Sequence, residues 1–442
     1  MPFRRTAFKV KVNIFLPSDK RMYLDLMRSQ TLPDEDLKAL QMKRSLDQAQ
    51  FAMEHTPFYR DLYTAAGITM RDFRDPEIFT NLPIVDKSDV RDYFEFFKSS
   101  EATSKNSIIS TTGGSTGEPL RILRDLRTPT RTLEWRLFDW WGVHPSENVA
   151  VVTRQSRDSR AAFSHDIKSW PSKRFQLNAY RMDELRIDEF LENWRRISPT
   201  VLVGYVGAIS ELARILESRG IQPTSPRAIA VTAAPITPAQ RLIIETVFGA
   251  PVYDHYRSSE IPWIAGECKE QNGLHIFSDV RKIEILKETG ELCSQGEVGE
   301  VVATDLTNRV FPLVRYRLGD RTTPMQGVCP CGVNLPRISA ISGRVSDALH
   351  LPGGEVIAGE ALTQTFRNAP SAVRQFQVHQ QSDFSIVVRC VPGSADDAKS
   401  LIHLAVDEIR TIVMNKVLVS LEIVDNIPHD GGKVRFIKSD VL

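Results

Sequence analysis

The sequence is poor in cysteine and has no long hydrophobic run, and each shortage excludes a class of protein. Five cysteines in 442 residues are an odd and sparse set, which argues against a disulfide framework. No segment approaches the ~20 apolar residues that a membrane-spanning helix needs. The N-terminal segment is basic, and Lys9, Lys11 and Asn13 interrupt its apolar residues. It therefore lacks the continuous apolar region of a secretory signal. We therefore expect a cytoplasmic protein without a membrane partner.

The chain also lacks an excess of charge of either sign. It has 56 lysines and arginines against 55 acidic residues, a formal net charge of +1. This balance gives no support to a nucleic-acid partner or to a basic membrane-binding surface. Hydrophobic residues make up 42% of the chain and charged residues 25%, which is ordinary globular usage and predicts a sizeable buried core.

Short apolar runs alternate with helical patterns through much of the chain. Residues 148–153, 199–205 and 227–233 are continuous apolar runs of strand length, which is typical of strands buried on both faces of a parallel sheet. Pro238 suits the first position of a helix for which Thr237 is the candidate N-cap. The alternation of strands and helices predicts an α/β fold.

The two ends of the chain have a different texture. Residues 34–66 have helical spacing with a break at Pro57, and Ser88 is a candidate N-cap for a short helix. From about residue 275 onward, β-like segments are separated by Gly- and Asp-rich turns, and the last hundred or so residues form a smaller α+β unit. We place the domain boundary near Arg344–Asp347, which predicts a large domain over 1–343 and a small one over 344–442.

The most informative segment is a loop of hydroxyl residues and glycines. Three glycines let backbone amides approach an anion closely, and five hydroxyl groups can add hydrogen bonds to phosphate oxygens. The loop is not a Walker A motif, because Glu118 follows its last glycine where that motif has lysine. A solvent-exposed linker is the alternative, but strand-like segments on both sides favour a structured loop. Its residues are Ser110, Thr111, Thr112, Gly113, Gly114, Ser115, Thr116 and Gly117.

This loop resembles the phosphate loop of the adenylate-forming enzymes, which include acyl-CoA synthetases, peptide-synthetase adenylation domains and luciferases. Many members carry lysine at the position of Glu118, so this chain lacks one positive charge there. Four further segments resemble the motifs of that family, in the same order along the chain. They are Tyr253–Glu260 for its Tyr-Gly-x-Thr-Glu motif, Arg315–Asp320 for Tyr-x-Thr-Gly-Asp, Gly343–Asp347 for the hinge, and Gly431–Arg435 for the loop with the catalytic lysine.

The resemblance implies a role for individual residues. A large adenylate-forming domain with parallel-rich sheets and a β-rich portion would carry the nucleotide, and a small mobile α+β domain would act as a lid that supplies Lys433. The phosphate loop would bind the triphosphate, Glu260 would hold Mg²⁺ and Asp320 would accept the ribose hydroxyls. The remaining assignments are Tyr256, Ala233, Ala234 and Pro235 near adenine, Arg344 on phosphate or ribose, Asp347 as the hinge, and Tyr205 and Val206 at the substrate pocket. The usual Gly-Glu pair is absent from Ala233-Ala234.

A second group of residues has the chemistry of a metal site. Cys268, His275, Cys329 and Cys331 offer three thiolates and one imidazole, which suits a closed tetrahedral Zn²⁺ site. The alternative is a set of buried or free cysteines beside a surface histidine. The phenylacetate–CoA ligase branch, which this chain resembles over most of its length, has the same Cys/His and Cys-Pro-Cys-Gly pattern, and some of its members bind structural zinc there.

The resemblance implies ATP-dependent activation of a small carboxylic acid, aryl or arylacetic, to an acyl-adenylate, followed by transfer to coenzyme A. One alternative passes the acyl group to an amine, a hydroxyl or a carrier protein, since the branch includes capsule-biosynthesis-associated adenylating proteins. Another is a nucleotide-binding scaffold without turnover, for which Glu118 and Ala233-Ala234 are the support. The sequence leaves the oligomeric state open, a homodimer included.

Overall fold

A computed structural model of the chain describes residues 2–112, 120–153, 169–179, 182–233, 236, 238–341, 349–353, 355–357, 361–362, 365–366, 372–393, 395–427 and 437–441. The chain divides into two compact units. The first consists of Met1–Ser110, Ile122–Leu177 and Ile187–Arg344, and the second of Thr111–Arg121, Asn178–Arg186 and Val345–Leu442. The domains expected at 1–343 and 344–442 stay a prediction.

The helices and strands of the described residues are numbered along the chain. The helices are α1 Pro2–Phe15, α2 Pro17–Ser29, α3 Asp34–His55, α4 Pro57–Ala65, α5 Ile78–Asn81, α6 Lys87–Asp92, α7 Arg131–Trp140, α8 Glu184–Ile197, α9 Val206–Ser218, α10 Pro238–Phe248 and α11 Ala398–Ile412. The strands are β1 Ser107–Thr112, β2 Leu120–Asp125, β3 Val149–Thr153, β4 Arg174–Asn178, β5 Val201–Tyr205, β6 Ala228–Thr232, β7 Val252–Tyr256, β8 Ala265–Glu267, β9 Leu274–Ile276, β10 Arg281–Leu286, β11 Gly299–Asp305, β12 Tyr316–Thr322, β13 Pro324–Met325, β14 Arg337–Ile338, β15 Leu349–His350, β16 Val356–Ile357, β17 Val373–Gln380, β18 Ile386–Pro392, β19 Val419–Ile423 and β20 Ile437–Ser439.

The first unit is organised around a nine-stranded sheet with the order β13-β14-β9-β8-β7-β6-β5-β3-β4. At its centre, β3 pairs with β5, β5 with β6 and β6 with β7, all in parallel. All five residues of β6 and of β7 are buried, as expected for strands that are covered on both faces. The three apolar runs identified in the sequence are β3, β5 and β6, and the predicted α/β fold is confirmed.

On one side, the sheet continues through antiparallel strands. Strand β7 pairs with β8, β8 with β9, and β9 with β14. In the last of these pairs, Arg337 lies opposite His275, which brings two segments that are distant in sequence next to each other. A separate antiparallel sheet, β10-β11-β12, forms the β-rich portion, and Val85 joins it through a parallel bridge to Tyr316.

The helices test the boundaries that the sequence predicts. Helix α3 ends before Pro57 and α4 begins there, so the predicted break is confirmed. Ser88 was the wrong N-cap for α6: the cap is Asp86, whose backbone N–H donates to Oδ2 of Asp89 over 2.7 Å in a reciprocal capping box. Sequence reasoning did not identify α1 and α2. No helix in the part of the chain that the structure describes is long and apolar enough to cross a membrane.

The second unit contains a four-stranded sheet with the order β19-β18-β17-β20. Strands β17 and β18 are antiparallel, whereas β20 and β19 add in parallel at the two edges. Helix α11 has buried apolar residues at helical spacing, including Ile402, Val406 and Ile409. These side chains share one core with Phe376 and Val388 of the sheet, because a helix and a sheet that are each apolar on one face bury those faces together.

Candidate functional site

Three neighbouring parallel strands end at residues that the sequence assigns to ligand binding. Tyr205 is the last residue of β5, Ala233 follows β6, and Tyr256 is the last residue of β7. In open α/β sheets the crevice outside the carboxyl ends of parallel strands is the usual place for ligands. Ala233 has a φ of 82°, a left-handed conformation that is strained for a residue with a Cβ, and such strain tends to cluster at functional sites.

Two of the predicted motifs are joined by a hydrogen bond between side chains. The hydroxyl of Tyr256 donates to Oδ2 of Asp320 over 2.6 Å, and both residues are buried. A charge-assisted hydrogen bond of this kind fixes the carboxylate more firmly than a neutral contact would. Gly319, with a φ of 77°, lies inside β12 where its pairing with β11 shifts register, between Arg317 and Arg321. The residues predicted to contact adenine and ribose are thus adjacent.

A second tyrosine–carboxylate pair links the same two motifs. The hydroxyl of Tyr316 lies 3.5 Å from Oε1 of Glu260, and Tyr316 is fully buried. Lys87, at the start of α6, places its Nζ 3.7 Å from the same carboxylate oxygen. Sequence reasoning did not assign Lys87 to the site.

The backbone that carries Tyr316 and Asp320 is anchored by a buried ion pair. The guanidinium of Arg315 binds both carboxylate oxygens of Glu284, at 3.1 Å and 3.0 Å. The backbone carbonyl of Arg315 accepts a hydrogen bond from the N–H of Val85 at 2.9 Å. Bidentate pairing of this type is geometrically specific. The ion pair fixes Arg315, and the hydrogen bond from Val85 holds the β12 motif next to the segment that carries Lys87.

A buried carboxyl group, that of Asp254, lies two residues before Tyr256 on β7. Burial, with the nearby Glu267 carboxylate as the second cause, raises the pKa of Asp254 to about 7. Nη2 of Arg241 donates to both carboxylate oxygens of Glu267, at 2.9 Å and 3.0 Å, and Glu267 also accepts the backbone N–H of Asp254 at 2.7 Å. This network fixes the backbone of β7 beneath the site.

The structure describes some of the predicted site residues, and others lie outside the described part of the chain. Ser110 and Thr111 are on β1, and Thr112 ends that strand, with β2 beginning at Leu120. Val206 begins α9 and is 1% exposed, whereas Tyr205 is half-buried. The predicted residues outside the described ranges are Gly113, Gly114, Ser115, Thr116, Gly117, Ala234, Pro235, Arg344, Asp347 and Lys433.

The four candidate metal ligands come together in one cluster. One ligand atom from each of Cys268, His275, Cys329 and Cys331 lies within 4.8 Å of the others. The Sγ atoms of Cys268 and Cys329 are 3.7 Å apart, and Sγ of Cys331 is 3.5 Å from Nε2 of His275. His275 is fully buried, so the alternative of a surface histidine is wrong.

Hydrogen bonds orient the imidazole for a metal. Nδ1 of His275 lies 2.8 Å from the carbonyl oxygen of Leu335, and since a carbonyl only accepts, Nδ1 carries the proton and Nε2 is left with its lone pair. Burial lowers the pKa of His275 to about 4, which keeps the ring neutral. The N–H of Val333 donates to Sγ of Cys331 over 3.3 Å. A neutral imidazole with its second nitrogen engaged by the protein is typical of a metal ligand.

The thiols of this cluster are in surroundings that disfavour charge without a cation. Burial raises the pKa of Cys268 to about 12 and also raises the pKa of Cys331. A bound metal ion reverses that preference, because coordination deprotonates thiols outright. The donor set, three sulfur atoms and one nitrogen, therefore fits a tetrahedral ion such as Zn²⁺.

Comparison with known proteins finds relatives of the kind that the motifs predict. Residues 349–440 match the family model of the CapK C-terminal domain. The chain is 27% identical to the phenylacetate-coenzyme A ligase of Thermus thermophilus, over 87% of this chain and 85% of that protein. It is 24% identical to protein CapK of Staphylococcus aureus, over 99% of this chain and 97% of that protein.

A solved structure shares the fold. The structure of 2-hydroxyisobutyryl-CoA ligase in an open conformation, in complex with 2-HIB-AMP and CoA, covers 93% of this chain and 94% of that one, with a TM-score of 0.62 at 20% identity. The comparisons confirm the resemblance to the phenylacetate–CoA ligase-like branch of the adenylate-forming superfamily that the motifs predict.

Proposed function

We propose that this protein is an AMP-forming acid ligase, which activates a carboxylic acid with ATP and transfers the acyl group to coenzyme A. The observation that carries the proposal is the pair of tyrosine–carboxylate contacts, Tyr256 with Asp320 and Tyr316 with Glu260. They hold a carboxylate for the ribose and a carboxylate for Mg²⁺ at the carboxyl ends of the parallel strands. The named phenylacetate-coenzyme A ligase relatives support an aryl or arylacetic acid as the substrate.

In the first reaction, a carboxylate oxygen of the acid attacks the α-phosphorus of ATP and the bond to pyrophosphate breaks. The products are an acyl-adenylate, in which the acid is an electrophile, and pyrophosphate. Asp320 binds the ribose hydroxyls, with Tyr256 fixing its orientation, and the phosphate loop from Ser110 to Gly117 binds the triphosphate. Such positioning and charge stabilisation account for most of the catalysis of phosphoryl chemistry.

Cations offset the charge of the phosphates. Glu260 would hold Mg²⁺, which would offset part of the charge of the phosphates. Lys433 would stabilise the charge on the α-phosphate, and Arg344 would contact phosphate or ribose. Rotation about Asp347 would then withdraw Lys433 and admit coenzyme A, a gating step of a kind that is common in enzymes. The thiol sulfur then attacks the acyl carbonyl, loses its proton and releases AMP.

We further propose that Cys268, His275, Cys329 and Cys331 hold a structural Zn²⁺. The cluster joins the segment of β9 to the segment before β14, and both lie beside the strand pairing of the nine-stranded sheet. A closed site with four protein ligands leaves no open position for substrate. The ion would stabilise the fold rather than take part in the reaction.

The proposal is tested by measuring pyrophosphate release by the purified protein with Mg-ATP and a panel of aryl, arylacetic, fatty and amino acids, with and without coenzyme A. We expect release that requires one class of acid, and a thioester by mass spectrometry when coenzyme A is present. The variant Lys433→Ala should abolish release while ATP binding persists. Lys438→Ala, at a half-buried lysine on β20 that pairs with Asp440 at 3.4 Å, is the matched control.

Each other outcome points to a specific correction. Acid-dependent release without a thioester would keep the adenylation step and redirect the search to an amine, a hydroxyl or a carrier protein as the acceptor. Full activity of the Lys433→Ala variant would remove that lysine from the mechanism. ATP binding without release for any acid would favour a scaffold without turnover.

A further inference from the structure

A guanidinium occupies a position where the motif of the superfamily has glycine. When Tyr-Gly-x-Thr-Glu is matched at Tyr256 and Glu260, the residue after the tyrosine is Arg257. Arg257 follows the end of β7, beside the tyrosine that binds Asp320. Exchanging a residue without a side chain for arginine places a long cationic side chain at the carboxyl ends of the parallel strands.

Arg257 lies on an aromatic surface and has no polar partner in the described part of the chain. Its guanidinium carbon is 4.9 Å from the ring centroid of Trp263. The ring of His255 is also stacked on Trp263, with centroids 5.1 Å apart and planes inclined by 18°. Residues two apart on extended backbone face the same side, so His255 and Arg257 share this aromatic surface. Arg257 forms no hydrogen bond or ion pair with any residue that the structure describes.

Arg257 lies at the edge of the sheet where the acid pocket is predicted. It is exposed to solvent and directly follows the last residue of β7. Desolvation lowers its pKa, and Tyr205 and Glu134 act on that pKa in the opposite direction. Tyr205 ends β5, so Arg257 is at the same edge of the sheet as the predicted acid pocket.

The carboxylate that acts on the pKa of Arg257 is already engaged by another cation. Glu134 pairs with Arg174 at 2.6 Å, and its side chain is 13% exposed. Because Arg174 already pairs with Glu134, this carboxylate does not offset the charge of Arg257 in full. His255 contributes no charge, since burial lowers its pKa to about 3 and keeps the ring neutral. Both of its ring nitrogens are buried without a partner among the described residues.

We propose that Arg257 is a specificity-determining residue that binds a second anionic group of the acid, in addition to the carboxylate that is activated. This inference rests on the proposed function and specifies its substrate class: an acid with a further carboxylate or similar anion, on an aryl or another framework. The group that reacts loses its charge when the adenylate forms, whereas the second anion keeps its charge. Arg257 would therefore hold the acyl chain through both reactions.

The test compares matched acids. Pyrophosphate release is measured at constant free Mg²⁺ with dicarboxylic acids and with their monomethyl esters, on aliphatic and aryl frameworks. The variants are Arg257→Met, which removes the charge at similar size, and Arg257→Lys, which keeps it. Arg195→Met, at an exposed arginine of α8, is the control. We expect the wild-type kcat/KM to favour the diacid, and the preference to fall on the order of 10- to 100-fold in Arg257→Met, less in Arg257→Lys and not in Arg195→Met.

The failures of the two proposals are distinguishable. Turnover of the monoesters at least as efficient as that of the diacids, or an unchanged preference in Arg257→Met, would overturn the role of Arg257 and leave the ligase intact. Absence of release with every acid would overturn the ligase. In that case, isothermal titration calorimetry measures binding of the same diacids and monoesters to the wild type and to Arg257→Met. The inference requires that the wild type binds the diacids and that Arg257→Met binds them more weakly.

Discussion

The hydroxyl of Tyr256 donates a 2.6 Å hydrogen bond to Oδ2 of Asp320, across 64 positions of sequence. Strand β7 ends at Tyr256, and Asp320 belongs to β12, so this contact joins the nine-stranded sheet to the three-stranded sheet at the proposed nucleotide site. Because one carboxylate oxygen of Asp320 is occupied by the phenol, the orientation of the other is fixed before any ligand arrives.

The first prediction concerns this contact. Tyr256→Phe keeps the ring and removes the hydrogen bond, which takes away one restraint on the carboxylate of Asp320. We expect the KM for ATP to rise about 3- to 30-fold, in line with the loss of one hydrogen bond to a charged group, with a smaller change in kcat. Steady-state kinetics with saturating acid measures this effect. Tyr93→Phe, at an exposed tyrosine, should leave the KM for ATP unaltered, and an equal effect of both variants would contradict the assignment.

A second prediction uses the contact between Lys87 and Glu260. Their side chains are 20% and 8% exposed and 3.7 Å apart, so the pair is poorly screened by solvent. Glu260→Gln should weaken Mg²⁺ binding and lower kcat/KM for ATP. Lys87→Met should lower it as well, because Lys87 supplies a cation beside the carboxylate of Glu260.

The coupling between the two residues is measured by a double-mutant cycle on kcat/KM. We expect an interaction energy of about 0.5–3 kcal/mol, as for residues in direct contact. Lys98 and Glu95 form a 2.6 Å pair on the surface and provide the matched cycle, for which the coupling should be close to zero. Additive effects of Lys87→Met and Glu260→Gln would show that the two side chains act separately.

The sequence predicts some parts of this structure well for physical reasons. The parallel strands were recognisable because burial on both faces demands continuous apolar runs, and the metal cluster because few structural roles require three thiols and an imidazole together. The role of Lys87 was not predictable, because a lone lysine in a sequence is usually solvated. Tertiary contacts place it in the site, here the hydrogen bond of Val85 with Arg315. The N-cap of α6 was ambiguous because Asp86 and Ser88 are both good capping residues.

The third prediction concerns the metal cluster. The purified protein should contain about one zinc ion per chain, and Cys329→Ser or Cys331→Ser should lose it. Loss of a structural metal is one of the few changes that destabilise by about 4 kcal/mol or more, so unfolding should shift to much lower denaturant. Elemental analysis and denaturant titration measure both effects. Cys293→Ser, at a half-buried cysteine outside the cluster, should alter neither, and wild-type protein free of any metal yet equally stable would refute the site.

The fourth prediction concerns the pH dependence of stability. In the folded protein the pKa of Asp254 is raised to about 7 by burial and by Glu267, against an ordinary value of 3.8. Between these pH values the folded state holds a proton that the unfolded state has released, so raising the pH through this window destabilises the protein. One pKa unit corresponds to about 1.4 kcal/mol, which gives a loss on the order of 2–4 kcal/mol between pH 4 and pH 8.

Asp254→Asn removes the titrating group and preserves its shape, so its advantage in stability over the wild type should grow with pH through this window and level off above it. All six tryptophans lie in the first unit, and their fluorescence during urea unfolding reports on that unit alone. For Asp61→Asn, at an exposed position of α4, the free energy of unfolding should change with pH as it does in the wild type. If the free energy of unfolding of Asp254→Asn also changes with pH as in the wild type from pH 4 to pH 8, the carboxyl group is ionised in the folded protein. In that case Arg241, the nearby cation that opposes the effect of burial, outweighs the cost of desolvation.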